Sequence, residues 1–329
     1  MAVPTGTFQA HTAIGNREDL SDIIYDISPE DTPFFTNIAT GKASAVLHEW
    51  QTDALSSASA DNAQIEGDDG NTVTATPTVR FGNYLQIMTK VPRVSGTQRA
   101  AKTAGRADEL SFQIAKMGRE LKRDIEARLT CAQGGSSGGA ATARECAGLG
   151  AWLFDNQVIA TTSGTAPTTG TAPTVSSGVP TTDVASGTAG TFLEADLKTA
   201  IQNCWTDGGD ATVVMAGAFN KKAASAFAGI GTQYRDVQPS PTAPGSIVGA
   251  ADLYVSDFGT HQIVANRFQP TNVAYVLDLE YWSCDYLRPI TQEPLSKTGD
   301  SDRVMLITEL TLKADNPKCS AMVRTLTTS

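Results

Sequence analysis

The chain is 329 residues long, 40% of them apolar, with a net charge of −10. That is enough for one large or two ordinary domains with a real core. The acidic balance excludes a general nucleic-acid binder, whose phosphate contacts need clustered lysine and arginine.

Residues 1–16 are polar and irregular and read as an extended arm. They carry neither a basic nor an apolar signal region, and no apolar run approaches the ~18 residues of a membrane span. The chain thus reads as made and folded in a cytoplasm, with no membrane partner. Residues 17–27 place Leu20, Ile23, Ile24 and Ile27 on one face of a short amphipathic helix. Ser28-Pro29-Glu30-Asp31 has the cap, the proline and the acids of a helix start. Pro33 is expected to stop any long helix, and Phe34 and Phe35 look like an anchor for the arm.

Residues 45–51 alternate as a strand, with Val46, His48 and Trp50 on one face. Residues 54–71 are small, polar and acidic. Strand character returns over 72–94, with a register break at Gly82-Asn83. This predicts a long two-stranded ribbon with a flexible tip. Such a ribbon is marginal alone in water, so it asks for something to lie on.

Residues 105–132 are the most regular stretch. Leu110, Ile114, Met117, Leu121, Ile125 and Leu129 form one helical stripe. The other faces are dense in charge, Glu126 among them, with Asp124–Arg128 and Glu120–Arg123 at helical pair spacing. A solvated face and a face against neighbouring subunits both fit that charge. Residues 133–139 read as a flexible glycine loop and 148–158 as a strand. Residues 156–182 carry no charge and read as a linker or surface loop. Thr191 and Glu194 fit a capping box for a helix with its stripe at Leu193, Leu197, Ile201 and Cys204, closed by Asp207-Gly208-Gly209. A buried strand over 211–215 and a helix over 218–230 follow. After a loop over 231–246, strands are expected near 247–248, 253–255, 262–266 and 273–277. Two more fall in 303–326. Helices and strands are segregated, which predicts an α+β class.

The search for chemistry is empty. Gly134–Gly138 and Gly135–Gly139 spell G-x-S-x-G, but a helix precedes them where a nucleophile elbow needs a strand. No P-loop or dinucleotide fingerprint is present. His11, His48 and His261 sit in three separate segments, and the acids at Glu66, Asp68 and Asp69 and at Asp300 and Asp302 lack a calcium-loop pattern. Five cysteines, Cys131, Cys146, Cys204, Cys284 and Cys319, include no C-x-x-C, so free thiols are expected. Cys131 and Cys146 bracket the glycine loop and are the one candidate pair. No catalytic residue, cofactor or metal is expected, and the chain does not read as an enzyme.

The order of elements resembles the major capsid proteins of tailed bacteriophages, with the shell fold called the Johnson fold. LSDIIYDISPEDTPFF over 20–35 carries the resemblance. So do SDFG (256–259), VANRFQP (264–270), LRP (287–289), EPLSKTGDS (293–301), ITEL (307–310) and NPKCSAMVRTL (316–326). The resemblance implies an N-terminal arm over 1–42 and an extended loop over 43–95. A peripheral domain with the spine helix would span 96–160 and 271–329, a linker or insertion 161–190, and an axial domain 191–270. It implies a homo-oligomer of hexamers and pentamers in an icosahedral virion capsid, enclosing double-stranded DNA without sequence-specific binding and assembled in the host cytoplasm. Some members crosslink through a lysine near the loop tip. No lysine occurs over 53–71, so a noncovalent shell is expected, with any scaffolding or decoration protein separate. Phe34, Phe35, Trp50, Phe81, Tyr84, Arg119 and Arg123 are the expected inter-subunit contacts. An encapsulin-like nanocompartment and a phage fibre or surface structural protein are the alternatives.

Overall fold

The computed structural model describes residues 30–67, 70, 75–101, 105, 107–160, 178–185, 187–227 and 252–328. The arm over 1–16, the helix over 17–27, the next helix's expected N-cap at Ser28, most of the Ser/Thr-rich insertion, the loop over 231–246 and the strand near 247–248 lie outside them.

Two sheets organise the chain. The first has the order β1 (Ala39–Lys42), β11 (Trp282–Leu295), β12 (Ser301–Ala314), β4 (Gln86–Lys90), with β5 (Arg93–Ser95) paired to the start of β12. The second runs β6 (Gln157–Ile159), β13 (Ala321–Arg324), β10 (Val273–Leu277), β7 (Val213–Ala216), β9 (Gly259–Ala265), β8 (Leu253–Ser256). It therefore draws strands from both sides of residue 270. A separate ribbon pairs β2 (Leu47–Thr52) with β3 (Val79–Tyr84).

After a short helix, α2 (Gly96–Ala100), the long helix α3 spans Glu109–Leu129, about 32 Å at ~1.5 Å per residue. Asp108 caps it, its carboxylate accepting the Ser111 N–H at 3.1 Å. The expected stripe is fully buried only at its C-terminal half, where Leu121, Ile125 and Leu129 pack on Leu306, Leu310 and Leu312 of β12 and Trp282 of β11. Ile114 and Met117 are half-buried. The expected Asp124–Arg128 pair does not form. Asp124 takes Lys90 at 2.7 Å and Arg128 takes Glu145 at 3.3 Å, because both sides of the helix meet other elements.

β10 reads Val-Ala-Tyr-Val-Leu and is buried throughout. Its alternation splits two cores. Val273, Tyr275 and Leu277 face the α3 core. Ala274 and Val276 face a second core built on α5 (Glu194–Thr206) through Leu197, Ile201 and Cys204. The start of α5 differs from expectation. Leu193 is the N-cap, and the Asp196 carboxylate accepts the Leu193 N–H at 3.3 Å. The end is as expected, with Gly208 at φ +85°. Helix α6 is Ala218–Ala224.

Four further expectations are corrected. Pro33 begins a helix, α1 (Pro33–Asn37), rather than stopping one: at the first position its missing N–H costs nothing. The run expected as a strand over 148–158 opens as a one-turn helix, α4 (Leu149–Trp152), fully buried; a short apolar run does not distinguish the two. The glycine loop is tied down, with Ser136 and Glu145 bonded both ways at 2.8 and 3.0 Å. Gly134 and Gly135 are buried there because residues 178–183 pass over them, with Gly135 N–H on Pro180 O at 2.8 Å. Val179 is accordingly buried, so the return of the insertion joins the core.

Strand β11, 14 residues long, was not anticipated. Pro289 and Pro294 interrupt its pattern, and its outer half is exposed. The ribbon is also shorter than expected. The chain leaves it at Leu85 and enters the first sheet as β4. The α3 core and the ribbon meet at Trp152, whose ring lies 5.4 Å from Trp50 and 5.9 Å from Phe81. Replacing Trp152 with alanine should lower the unfolding free energy by ~3–5 kcal/mol in urea titration. The same change at Trp205, 58% exposed, should cost under ~1 kcal/mol.

Candidate functional site

Among the described residues no group of His, Cys, Asp and Glu is placed to hold a metal, and no helix is long and apolar enough to cross a membrane. The five cysteines are free thiols, Cys131 and Cys146 included, and burial pushes Cys146 up to about 11 and Cys284 up to about 12. The described histidines are structural. His261 Nε2 meets Ser256 Oγ at 2.7 Å inside one hairpin, and His48 Nε2 lies 2.8 Å from Asp285 Oδ2. The informative geometry lies at two joints, where the arm and the ribbon meet the body.

The arm joint is built on Glu126. This residue was grouped with the solvated charges of α3, yet it is 0% exposed. Its Oε1 accepts the Phe34 N–H at 3.0 Å and Asn266 Nδ2 at 2.6 Å, and its Oε2 accepts the Phe35 N–H at 2.7 Å. The first N–H groups of α1 have no partner inside their own helix, so a carboxylate supplied from α3 satisfies them. Burial pushes the Glu126 carboxyl above its ordinary value, and the three donors hold part of that rise back. Phe34 drops into the core, 1% exposed, edge-on to Trp282 at 6.4 Å. Phe35 is half-buried against the same cluster. Arg123 lies over the Phe268 ring at 5.2 Å, and the Phe268 N–H bonds Asn266 Oδ1 at 2.9 Å, so Arg123 belongs to this joint. Arg119 pairs with Glu30 at 2.5 Å, four positions earlier on the helix.

The ribbon joint is built on β12. Tyr84 O accepts Thr311 Oγ1 at 3.0 Å, Asn83 Nδ2 donates to Leu312 O at 2.8 Å, and Trp50 Nε1 donates to Ala314 O at 2.8 Å. Trp50 and Phe81 face each other across the ribbon and both pack on Trp152. Asp285 adds a polar tie. It accepts Ser283 Oγ at 2.7 Å and faces His48. Gly41 makes room for it, since a Cβ there would stand 2.3 Å from Asp285 Oδ1. Nearby, Glu309, 4% exposed, lies between Arg144 at 2.8 Å and Arg288 at 3.0 Å and pins the glycine loop to the sheet. Beyond the joint the loop is bare. Residues 53–67 are all exposed, and Leu55 is 99% exposed.

The structure thus brings Phe34, Phe35 and Arg123 together at one joint, and Trp50, Phe81 and Tyr84 at the other. Glu126, Asn266, Asp285, Glu309 and Trp152 were missed as joint residues. Glu126 alone had a signal, its place beside Ile125 at the margin of the stripe.

Glu126→Gln keeps one acceptor but turns an amide N–H₂ toward a donor. It should destabilise by ~2–3 kcal/mol and speed amide exchange at Phe34 and Phe35 before the rest of the chain. At Asp285, burial pushes the carboxyl up, but hydrogen bonds from His48 and Ser283 outweigh it and hold it below 3.8. A depressed value means stability present above the unfolded value and lost as pH falls through the folded one. Denaturation midpoints should therefore fall on acidification below about pH 4, and Asp285→Asn should flatten that fall.

The comparisons agree with this architecture. The family model described as SU10 major capsid protein matches residues 3–327. The major capsid protein of Escherichia phage Phieco32 is 28% identical, over 99% of this chain and 98% of the relative. Among solved structures, the capsid of cyanophage A-1(L) has a TM-score of 0.63 at 15% identity, covering 95% of this chain and 98% of its own. The capsid of a native GTA particle scores 0.62 at 11% identity, covering 97% and 98%. The SrpI encapsulin of Synechococcus elongatus scores 0.54 at 9% identity, covering 95% and 93%. The α+β class and the phage capsid fold expected from the sequence are borne out. Matched from end to end in sequence and in fold, the chain belongs to the SU10 major capsid protein family, the proteins that form the shell of a phage virion.

Proposed function

We propose that copies of this chain assemble through hexamers and pentamers into a noncovalent icosahedral shell around packaged double-stranded DNA, in the cytoplasm of the host. In this reading residues 1–42 are the arm and 43–95 the extended loop. Residues 96–160 and 271–329 form the peripheral domain, 161–190 an insertion, and 191–270 the axial domain. Phe35, Tyr84, Arg119 and the exposed edges of Trp50, Phe81 and Arg123 meet neighbouring copies, while Phe34 anchors the arm from within. No catalytic step and no cofactor is part of it, and any scaffolding or decoration protein is a separate chain.

The observation that carries the reading is the contrast within the extended loop. Its root is fastened to β12 and Trp152, yet the described residues of its tip make only local hydrogen bonds, such as the Asp61 N–H to Ser59 Oγ at 3.3 Å. Leu55 and Ile65 are 99% and 78% exposed there. A fixed root aims the tip, and bare apolar residues at its end gain only by covering a second surface. Stable pairs bury roughly 1,600 Å², an area that a projecting loop of this length supplies in part. The acidic balance fits an inner wall that does not grip phosphate.

The encapsulin likeness supports a second reading, a shell around protein cargo. Electron microscopy of the expressed chain, with nucleic acid and protein measured in purified particles, separates the two. Closed shells holding DNA in infected cells are expected; an enzyme cargo would favour the second reading. Deleting residues 54–78 should leave the thermal unfolding of the single chain within a few degrees of its parent and abolish shells. Shells of normal yield from that deletion would refute the role given to the loop.

A further inference from the structure

Two arginines at the far end of β12 stand without acidic partners among the described residues. Arg303 of β12 and Arg93 of β5 are directly opposite in register, an arrangement of like charges that destabilises a sheet unless something neutralises it. Arg93 Nε donates to Ser301 Oγ at 3.0 Å and Arg303 Nη2 to Ser296 O at 2.8 Å, so both guanidinium groups are held in place by neutral acceptors. Arg303 Nε is buried and unpartnered among the described residues. The nearest acid in sequence, Asp302, is taken by Arg99 and Lys297.

The ribbon tip presents the opposite case. Residues 43–79 contain no lysine or arginine, and Asp53, Asp61 and Glu66 are exposed along it. Among the described residues, no tip carboxylate pairs with either arginine of its own chain. Along the ribbon, Tyr84, Asn83 and Trp50 meet β12 at Thr311, Leu312 and Ala314 in turn. The ribbon therefore leaves β12 by its C-terminal end. Arg303 is eleven residues back, about 36 Å along the strand. The acidic tip and the arginine pair lie at opposite ends of one rigid strand.

Resting on the shell reading above, we propose that Arg93 and Arg303 receive the acidic ribbon tip of a second copy of this chain. Guanidinium groups already held by hydrogen bonds lose little freedom on taking carboxylates, and they pair with them bidentately. The contact is head-to-tail, joining two different surfaces, and a contact of that kind closes into rings when its rotation permits. It is also noncovalent, in keeping with a tip that has no lysine.

The test is assembly of full-length chains, read as the fraction in particles by sedimentation and negative-stain microscopy at low and high salt. Arg93→Glu with Arg303→Glu should lower that fraction about ten-fold. Asp53→Asn with Asp61→Asn and Glu66→Gln should do the same from the other side. Those three tip residues are exposed, so their loss leaves the sheet intact. A charge swap, Arg93→Glu and Arg303→Glu with Asp61→Lys and Glu66→Lys, should restore particles. Salt should weaken the parent contact. Normal assembly of either one-sided variant, or a swap no better than the arginine variant alone, would overturn the proposal while leaving the shell reading in place. A parent chain that never assembles would overturn both.

Discussion

A buried carboxylate fastens the arm to the body. Glu126 sits inside the hydrocarbon core of α3, where an unpaired charge would cost several kcal/mol, and it is tolerated because three donors converge on it. Two are the otherwise unmatched N–H groups that open α1, and the third is the amide of Asn266 from the strand leading out of β9. One side chain thereby fixes the position of three elements at once. Phe34 and Phe35 follow from it: with their N–H groups pinned, their rings fall on either side of the entrance to the core, and only Phe34 is swallowed.

β12 is the second constraint. Its inner face packs Leu306, Leu310 and Leu312 against α3, while its other face carries Glu309 and Thr311, buried where they meet Arg144 of the glycine loop and Tyr84 of the ribbon root. A strand covered on both sides and paired along both edges has little room to bend. Everything attached to it, the ribbon at one end and β5 at the other, keeps its direction. Such a strand sets the angle between the ribbon root at one end and β5 at the other.

Charge on this chain is divided by task. Pairs such as Lys90–Asp124 and Arg119–Glu30 are exposed and individually weak. Glu309 between two arginines, Asp285 beside His48, and Glu126 among its donors are buried, and they decide where loops and arm attach. The cysteines take no part in crosslinking, and burial keeps them protonated.

Legible from residues alone were the long helix, a strand near 273–277, the strand character of 45–51 and 303–326, and the resemblance to the family. Those signals are local or repeat at a fixed period, so neighbouring residues suffice to read them. Only the tertiary structure decided that Glu126 is buried, that Pro33 opens a helix, that β11 continues through Pro289 and Pro294, and that Gly134 and Gly135 lie under the returning insertion. Each of these rests on a partner far along the chain: Phe34 for Glu126, β12 for β11, Pro180 for Gly135. A carboxylate on a helix flank looks the same in sequence whether it meets water or an unsatisfied N–H, and the fold alone supplies the donor.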